Sequence, residues 1–515
     1  MADRVISQLD FQDADIEEFF RKGLRLDDEP QHPDRLTDAI MQRGAYLAYD
    51  EIPSNEDAAV LRRMLSTGAP VRTLDIRSIA LGAFKVAFDS LQECPLLERI
   101  NIDDIHCEGA DLGLNSRDAF RSLRTLCLHC ENVGGGFAND ISSYIRENKS
   151  LKELRLAYSF GGDEGAAAIV EALRVNDTLK KFTLSKWGLR LARLDLFGGE
   201  EAKLSSKTFL DVVKLLACNS VLELVDISTV CPLEKDVVSP MLADERYVNA
   251  FRRLNLEWPD ALLPELTALI RKEACYPELY VRFNSAVDKG VLREFFDAVV
   301  TNQTLLGLHF SEDSDEDFDN LFAGPLNSLG DGIASVLKRT QTLRTISLDA
   351  GPCDVASVFD ALKENRSVTK ATVRAEVVSA EMAKSLSELL AVNQTLEAVA
   401  FSNYWESLPK EIEDVVQALR TNYSLTNLDH GCQLDECEKT AAIHEMEALL
   451  KRNDRLVRKA AEFVISGADV SDEGVDALKK VRSKLGLVRK VQALAGLTEE
   501  AALKQIRSAL ECLSA

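Results

Sequence analysis

Six copies of one short corner constrain what this chain can fold into. Asn148, Asn176, Asn302, Asn365, Asn393 and Asn422 each open an Asn-x-Ser/Thr stretch that runs into an apolar residue, as in "EALRVNDTLKKFTL" and "LAVNQTLEAVAF". Before each copy, apolar residues recur three and four apart, the spacing of a helix with one buried face. After it they alternate with polar residues, the spacing of a half-buried strand. The triplet also reads as a glycosylation acceptor. However, the opening residues "MADRVISQLD" lack the apolar stretch of a secretory signal, so a cytoplasmic chain with most of its 11 cysteines reduced is expected. The asparagine must then recur for a structural reason.

The corner returns at a regular interval. In the pattern apolar-x-x-apolar-x-apolar, the first position falls at Val71, Leu97, Leu123, Leu151, Leu179, Leu222, Phe251, Leu305, Leu343, Val368, Leu396 and Leu425, with partial matches beginning at Glu278 and Leu456. Eleven of the thirteen steps lie between 25 and 31 residues, a spacing that scattered apolar residues would not hold. Each interval reads as a strand, a turn with Gly or Asp, and a helix. Asn stands three residues before the first position in eight units, at the six sites above and at Asn219 and Asn453. The helix must stop there. Because Asn tolerates left-handed backbone better than most residues, a left-handed asparagine is expected at each helix end.

The stretch "LKELRLAYSFGGDEGAAAIVEALRVNDTLKKFTL" and its copies, over roughly residues 54–460, resemble leucine-rich repeats of the ribonuclease-inhibitor-like class. They are also similar to the repeat region of NLR-type receptors. The resemblance implies an α/β solenoid, a horseshoe of about 14 units with a parallel sheet on the concave face and helices on the convex one. The family usually sets Asn or Cys at the ninth position of its motif, bonding the loop backbone. Here that position holds Ile79, Ile105, Glu131, Ser159, Trp187, Gly351 and Tyr404, so the loops must be held in another way. The ends of such an array expose apolar edges and need caps. Residues 1–53 are expected to form a helical N-terminal cap and 54–456 the solenoid. Residues 457–515 read as three helices, forming either a C-terminal cap or a small recruiting module. In the last of these, Thr498 is the expected N-cap, with Leu503, Ile506 and Leu510 on one stripe.

Chemistry-bearing motifs are mostly missing. The sequence has no Gly-Lys dipeptide for a P-loop, no Gly-x-Ser-x-Gly and no His-Glu-x-x-His. His106, Cys107, Cys127, His129 and Cys130 fall out of register between stacked units, so they read as ordinary thiols and loop histidines rather than a zinc site. The segment "SEDSDEDFDN" starts like a calcium loop, but Phe318 and Gly324 stand where Gly and Glu are needed; a solvated acidic insertion explains it. "LPKEIEDVVQALR" resembles the start of an F-box, yet it fills the helix slot of the unit starting at Leu396. No catalytic residue, cofactor or metal is assigned. No apolar run approaches the ~18 residues that a membrane helix needs.

What the repeat leaves outside its core is the second, third and fifth strand positions. Over the first eight units these positions hold ten basic and five acidic residues, on a chain whose net charge is −23. Arg124, Lys152, Arg155, Lys180, Lys181, Arg252, Arg253 and Arg282 form the candidate concave binding track. Two readings stand side by side: ordinary solvated surface, or a surface that attracts an acidic protein partner. Nucleic acid is not expected, since the net charge repels phosphates and the track lacks interleaved aromatics. Trp187, Trp258, Tyr404 and Trp405 are candidate anchors on the loop rim, or else they pack the loops. The leading expectation is a non-enzymatic protein-binding scaffold. The alternative is a GTPase regulator, since Ran GTPase-activating proteins are similar to this repeat class.

Overall fold

In the computed structural model, residues 14–25, 45–66, 69–88, 96–106, 112–114, 120–131, 135–157, 162–185, 204–228, 233–283, 287–312, 326–349, 355–373, 380–401, 412–429, 441–466 and 472–513 are described. The chain divides into two compact units, Met1–Glu257 and Trp258–Ala515. Strands β1 (Leu24–Arg25), β2 (Ala45–Tyr49), β3 (Val71–Ile76), β4 (Ile79–Ala80), β5 (Arg99–His106), β6 (Thr125–Glu131), β7 (Glu153–Ala157), β8 (Lys181–Ser185), β9 (Leu224–Asp226) and β10 (Leu254–Asn255) form one sheet. Its order follows the sequence, with β4 beside β5. β1 pairs antiparallel with β2, and all later pairs are parallel. A second sheet runs through β11 (Glu257–Pro259), β12 (Glu278–Phe283), β13 (Gly307–Glu312), β14 (Thr345–Asp349), β15 (Lys370–Val373), β16 (Ala398–Phe401) and β17 (Asn427–Asp429), parallel from β12 onward. Helices connect the strands, as a parallel order requires. The fold is an α/β leucine-rich-repeat solenoid.

Registers show why the period is needed. The fourth positions Leu74, Ile100, Leu126, Leu154, Phe182, Val225 and Leu254 are Cα partners along the first sheet, and all are buried. Leu279, Leu308, Ile346, Ala371, Val399 and Leu428 do the same in the second. Each helix closes its unit with one apolar face. In Gly162–Val175 that face is Ala166, Ile169, Val170 and Leu173, and Asp163 and Glu164 sit in the first turn, where the helix dipole favours acids.

The corner asparagines work differently from the expectation. Among the described residues the only non-glycine with positive φ is Glu273, while Asn219 and Asn302 are extended. The side chain does the work instead. Asn422 Oδ1 accepts from the Ser424 and Leu425 N–H groups at 2.8 and 2.9 Å, turning the chain into the next strand. Its Nδ2 donates to the Leu390 and Asn393 carbonyls of the preceding unit at 2.9 and 3.0 Å. Asn148, Asn176, Asn219, Asn302, Asn365 and Asn393 repeat this pattern, each with Oδ1 turned to its own corner and Nδ2 to the unit before. All but the half-buried Asn219 are buried. These residues therefore stitch each unit to its predecessor. At the corner before Leu343, Thr340 Oγ1 accepts the two N–H groups at 3.4 Å, a weaker version. The left-handed backbone appears at Glu273, beyond the helix Leu263–Arg271, where the chain has no corner asparagine.

Several expectations change. Residues 45–49 form a strand that continues the sheet in parallel beside β3, so the N-terminal segment is more than helices. Leu456 starts no strand: it lies inside the helix Ala441–Ser466, where Asn453 keeps only the donor half of the corner, bonding the Asn422 and Leu425 carbonyls. That helix runs from the last repeat into the C-terminal bundle. The bundle continues with helices Asp472–Val481, Leu485–Ala495 and Glu499–Cys512, one more than the sequence suggested, around a core including Ala461, Val464, Leu478, Leu487 and Ile506. Thr498 does cap the last helix, its Oγ1 accepting from the Ala501 N–H at 3.3 Å. Leu503 is exposed there, and Ala502 takes the buried place beside Ile506. The ninth-position isoleucines Ile79 and Ile105 are both buried and directly paired, extending the ladder with apolar contact instead of asparagine.

Candidate interaction surface

On the first sheet the second strand positions stack through the backbone: Glu98 N–H bonds Arg72 O, and the series continues through Arg124, Lys152, Lys180 and Glu223 at 2.7–2.9 Å. The ladder stacks these positions from unit to unit, and Arg124, Lys152 and Lys180 are exposed along it. Both ends of the row are neutralised internally. Arg72 pairs with Glu98 at 3.1 Å and Lys180 with Glu223 at 2.6 Å, and both glutamate–cation pairs are solvent-exposed. The Lys180 ammonium holds the Glu223 carboxyl below its usual range. Arg155 likewise pairs with Glu153 at 2.6 Å. In the middle, Arg124 and Lys152 form no salt bridge; Lys152 reaches the Thr178 carbonyl at 3.4 Å and, after Lys149, helps hold the Asp177 carboxyl below its usual range. Arg99 and Lys181, at third positions of the flanking strands β5 and β8, are exposed and form no salt bridge, although Glu153 is the register neighbour of Lys181 and Glu223 feels its charge. Arg99 and Lys181 thus lie in β5 and β8, and Arg124 and Lys152 stand just before β6 and β7. Beside them, at a fifth position, the Cys127 thiol is buried, and that burial pushes its pKa up to about 12, making it a packing residue.

Two of the candidate residues, Arg253 and Trp258, leave the surface, and a third, Arg282, shifts along it. Arg253 turns inward: its guanidinium donates to the Asn219 and Leu222 carbonyls at 2.7 and 2.8 Å and to Leu216 O, capping the end of the helix Ser206–Cys218. It serves the fold there, as cations favour a helix C-terminus. Arg282 is displaced because the unit containing β12 begins two residues earlier than its sequence match: Leu279, not Val281, is the Cα partner of the fourth-position Leu308. Tyr280 therefore takes the fifth position that Arg282 was expected to fill. Trp258 is 3% exposed and belongs to the core, so it is no rim anchor. Arg252 remains exposed. Trp187, Tyr404 and Trp405 lie outside the described residues, as do Cys107 and the acidic insertion from Asp313 onward.

The second sheet's outer face is built from smaller residues. Its fifth positions are Tyr280, His309, Ser347, Thr372, Ala400 and Asp429, and its third positions include Gly307, Thr345 and Ala398. A side chain at Gly307 would collide with the Glu278 carboxylate, which crosses that position to reach His309 Nε2 at 2.9 Å. His309 also stacks on Tyr280, with ring centroids 4.3 Å apart. At the far end the bundle helix Leu485–Ala495 rests against this sheet: Arg489 bonds Glu397 at 3.2 Å, and the buried Lys484 ammonium reaches the Gln394 amide oxygen. Burial raises the Glu397 pKa, with Arg489 pulling it the other way. The Tyr280–His309–Glu278 cluster left no signal in the sequence, because it needs the two-residue register shift to assemble.

No protein-family model matches the sequence, and no curated protein matches it. Among solved structures the chain is similar to actin-binding site 2 of leiomodin-1, at 15% identity and a TM-score of 0.23, covering 40% of this chain and 98% of that one. It is similar to the tropomodulin C-terminal domain of Caenorhabditis elegans, at 14% identity and a TM-score of 0.21, over 38% and 95% of the two chains. A structure of the yeast Rad7–Elc1 complex gives 14% identity and a TM-score of 0.38, over 70% and 87%. The leucine-rich-repeat fold rests on this chain's own registers and corner ladder. Among the described residues no helix is long and apolar enough to cross a membrane.

Proposed function

We propose that the chain is a non-enzymatic scaffold of the cytoplasm that binds an acidic protein partner through the outer face of its first sheet. One observation carries this reading. A chain with 84 acidic and 61 basic residues has carboxylates in excess, yet the exposed Arg99, Arg124, Lys152 and Lys181, in or beside β5 to β8, form no salt bridge. The field of such a group steers an acidic partner, and complementary charge across an interface selects against wrong ones. The test is capture of partners by the whole chain, wild type against Lys152→Glu with Lys181→Glu. Both side chains project outside the core, so folding should change little. The captured partners should be lost on charge reversal, and wild-type binding should weaken as salt rises. Partners kept by the reversed variant would place the binding surface elsewhere. A large stimulation of GTP hydrolysis in a panel of small GTPases would replace this reading by that of a GTPase regulator.

A further inference from the structure

The second unit holds a cavity of about 280 Å³ between the corners leading into β16 and β17 and the helices Ala441–Ser466 and Leu485–Ala495. Lys484 stands in its wall and is 7% exposed. Its Nζ donates to the Gln394 amide oxygen, a neutral partner, and it forms no ion pair among the described residues. Two carboxylates share the wall, but Glu397 is bonded to Arg489 at 3.2 Å, and neither Glu397 nor Asp454 offsets the burial of the lysine. A buried ammonium without a counter-charge is costly, and losing the proton removes that cost. Lys484 is also the N-cap of Leu485–Ala495, where the positive end of the helix dipole disfavours a cation. Burial accordingly lowers its pKa. A neutral lysine facing a cavity is a nucleophile. We propose that Lys484 captures a small 2-oxo acid covalently, as an imine. The amine lone pair attacks the keto carbon, forming the C–N bond, while a proton passes from nitrogen to the carbonyl oxygen. The carbinolamine then takes up a solvent proton at its hydroxyl, which leaves as water, and the nitrogen lone pair closes the C=N bond of a protonated imine. The rest of the wall selects the carbonyl compound. Arg489 is exposed and Lys490 half-buried, so the cavity opens to solvent beside them, and Lys490 is in no ion pair among the described residues. Their charge suits a carboxylate next to the reacting carbonyl. The volume falls just short of the roughly 300–1,000 Å³ of ordinary ligand pockets, which restricts the guest to a small molecule.

The experiment incubates the full chain with pyruvate near neutral pH, reduces any imine with cyanoborohydride, and maps the modified lysines by peptide mass spectrometry. Only the neutral amine reacts, and each unit by which a lysine pKa is lowered raises that fraction about tenfold. Lys484 should therefore take up at least about tenfold more label than exposed lysines such as Lys207 and Lys289. The wild-type chain gives this reading by itself, so it does not depend on a variant that folds. Acetone, a ketone of similar size without the carboxylate, should give a Lys484-to-Lys207 label ratio about tenfold lower than pyruvate does. Lys490→Gln should bring the pyruvate ratio down toward that of acetone. Pyruvate should also raise the melting temperature of the wild type and leave that of Lys484→Gln unchanged, since a ligand held only by the folded chain stabilises it. Label at Lys484 no greater than at the exposed lysines overturns the nucleophile. Equal ratios for pyruvate and acetone, or a pyruvate ratio that Lys490→Gln leaves intact, overturn the 2-oxo acid.

Discussion

Along the fifth strand positions the first sheet sets out Asp75, Asn101, Cys127, Arg155, Thr183, Asp226 and Asn255, while the second sets out Tyr280, His309, Ser347, Thr372, Ala400 and Asp429. Beneath both rows the fourth positions are aliphatic or aromatic and buried, and both units use the same asparagine corner. The difference is confined to positions that the fold leaves free. One face is a mosaic of charges in which some cations are ion-paired and others, such as Arg124, are not. The other is mostly small and neutral, with one clamped histidine and an end covered by the C-terminal bundle. Shared architecture therefore says little about binding, which resides in the outer rows.

The sharpest test of the shared scaffold is its core. Leu154→Ala and Leu308→Ala, equivalent fourth positions in the two sheets, should each cost about 2–5 kcal/mol in denaturant unfolding. A cost below about 1 kcal/mol at either one would break the equivalence. The corners come next. Asn422→Ala strands two N–H groups and two carbonyls in a buried place and should cost about 3 kcal/mol, whereas Asn219→Ala, half-buried, should cost about half as much. On the same logic Arg253→Ala should cost about 2 kcal/mol through lost helix-end bonds, and its neighbour Arg252→Ala less than about 0.5. Equal costs at 252 and 253 would return Arg253 to the binding surface.

The smallest effect is pH-dependent and belongs to the second sheet alone. Burial raises the folded-state pKa of Glu397 above its unfolded value near ~4.3, so the stability it contributes is present at lower pH and is lost as pH rises through the folded pKa. Glu397→Gln carries no such loss. Thermal melts from acid to neutral pH should therefore show the variant gaining on the wild type as pH increases. A constant gap would mean that Arg489 fully compensates the buried charge.

Periodicity alone fixed the repeat: alternation at Leu151, Leu154 and Leu156 and the helical spacing of Ile169, Val170 and Leu173 are local consequences of burying one face per element, so they are legible in a string of letters. Asn176 was legible as a corner but not in its mechanism, because its Nδ2 partners, the Ile145 and Asn148 carbonyls, lie one unit back in the chain. The same limit explains the candidate surface. Strand alternation told which residues point outward, but not that Glu223 comes to rest against Lys180, 43 residues before it, nor that Arg253 turns to the end of a helix. It also missed the two-residue shift that brings Tyr280 beside His309, since Val281 and Phe283 match the pattern as well as Leu279 does. Sequence by itself determined period, burial and the corner residue, each set by chain-local spacing. Tertiary structure decided which cations form ion pairs and which are consumed by the fold, because ion pairs and helix-end bonds depend on distances between side chains a whole repeat or more apart.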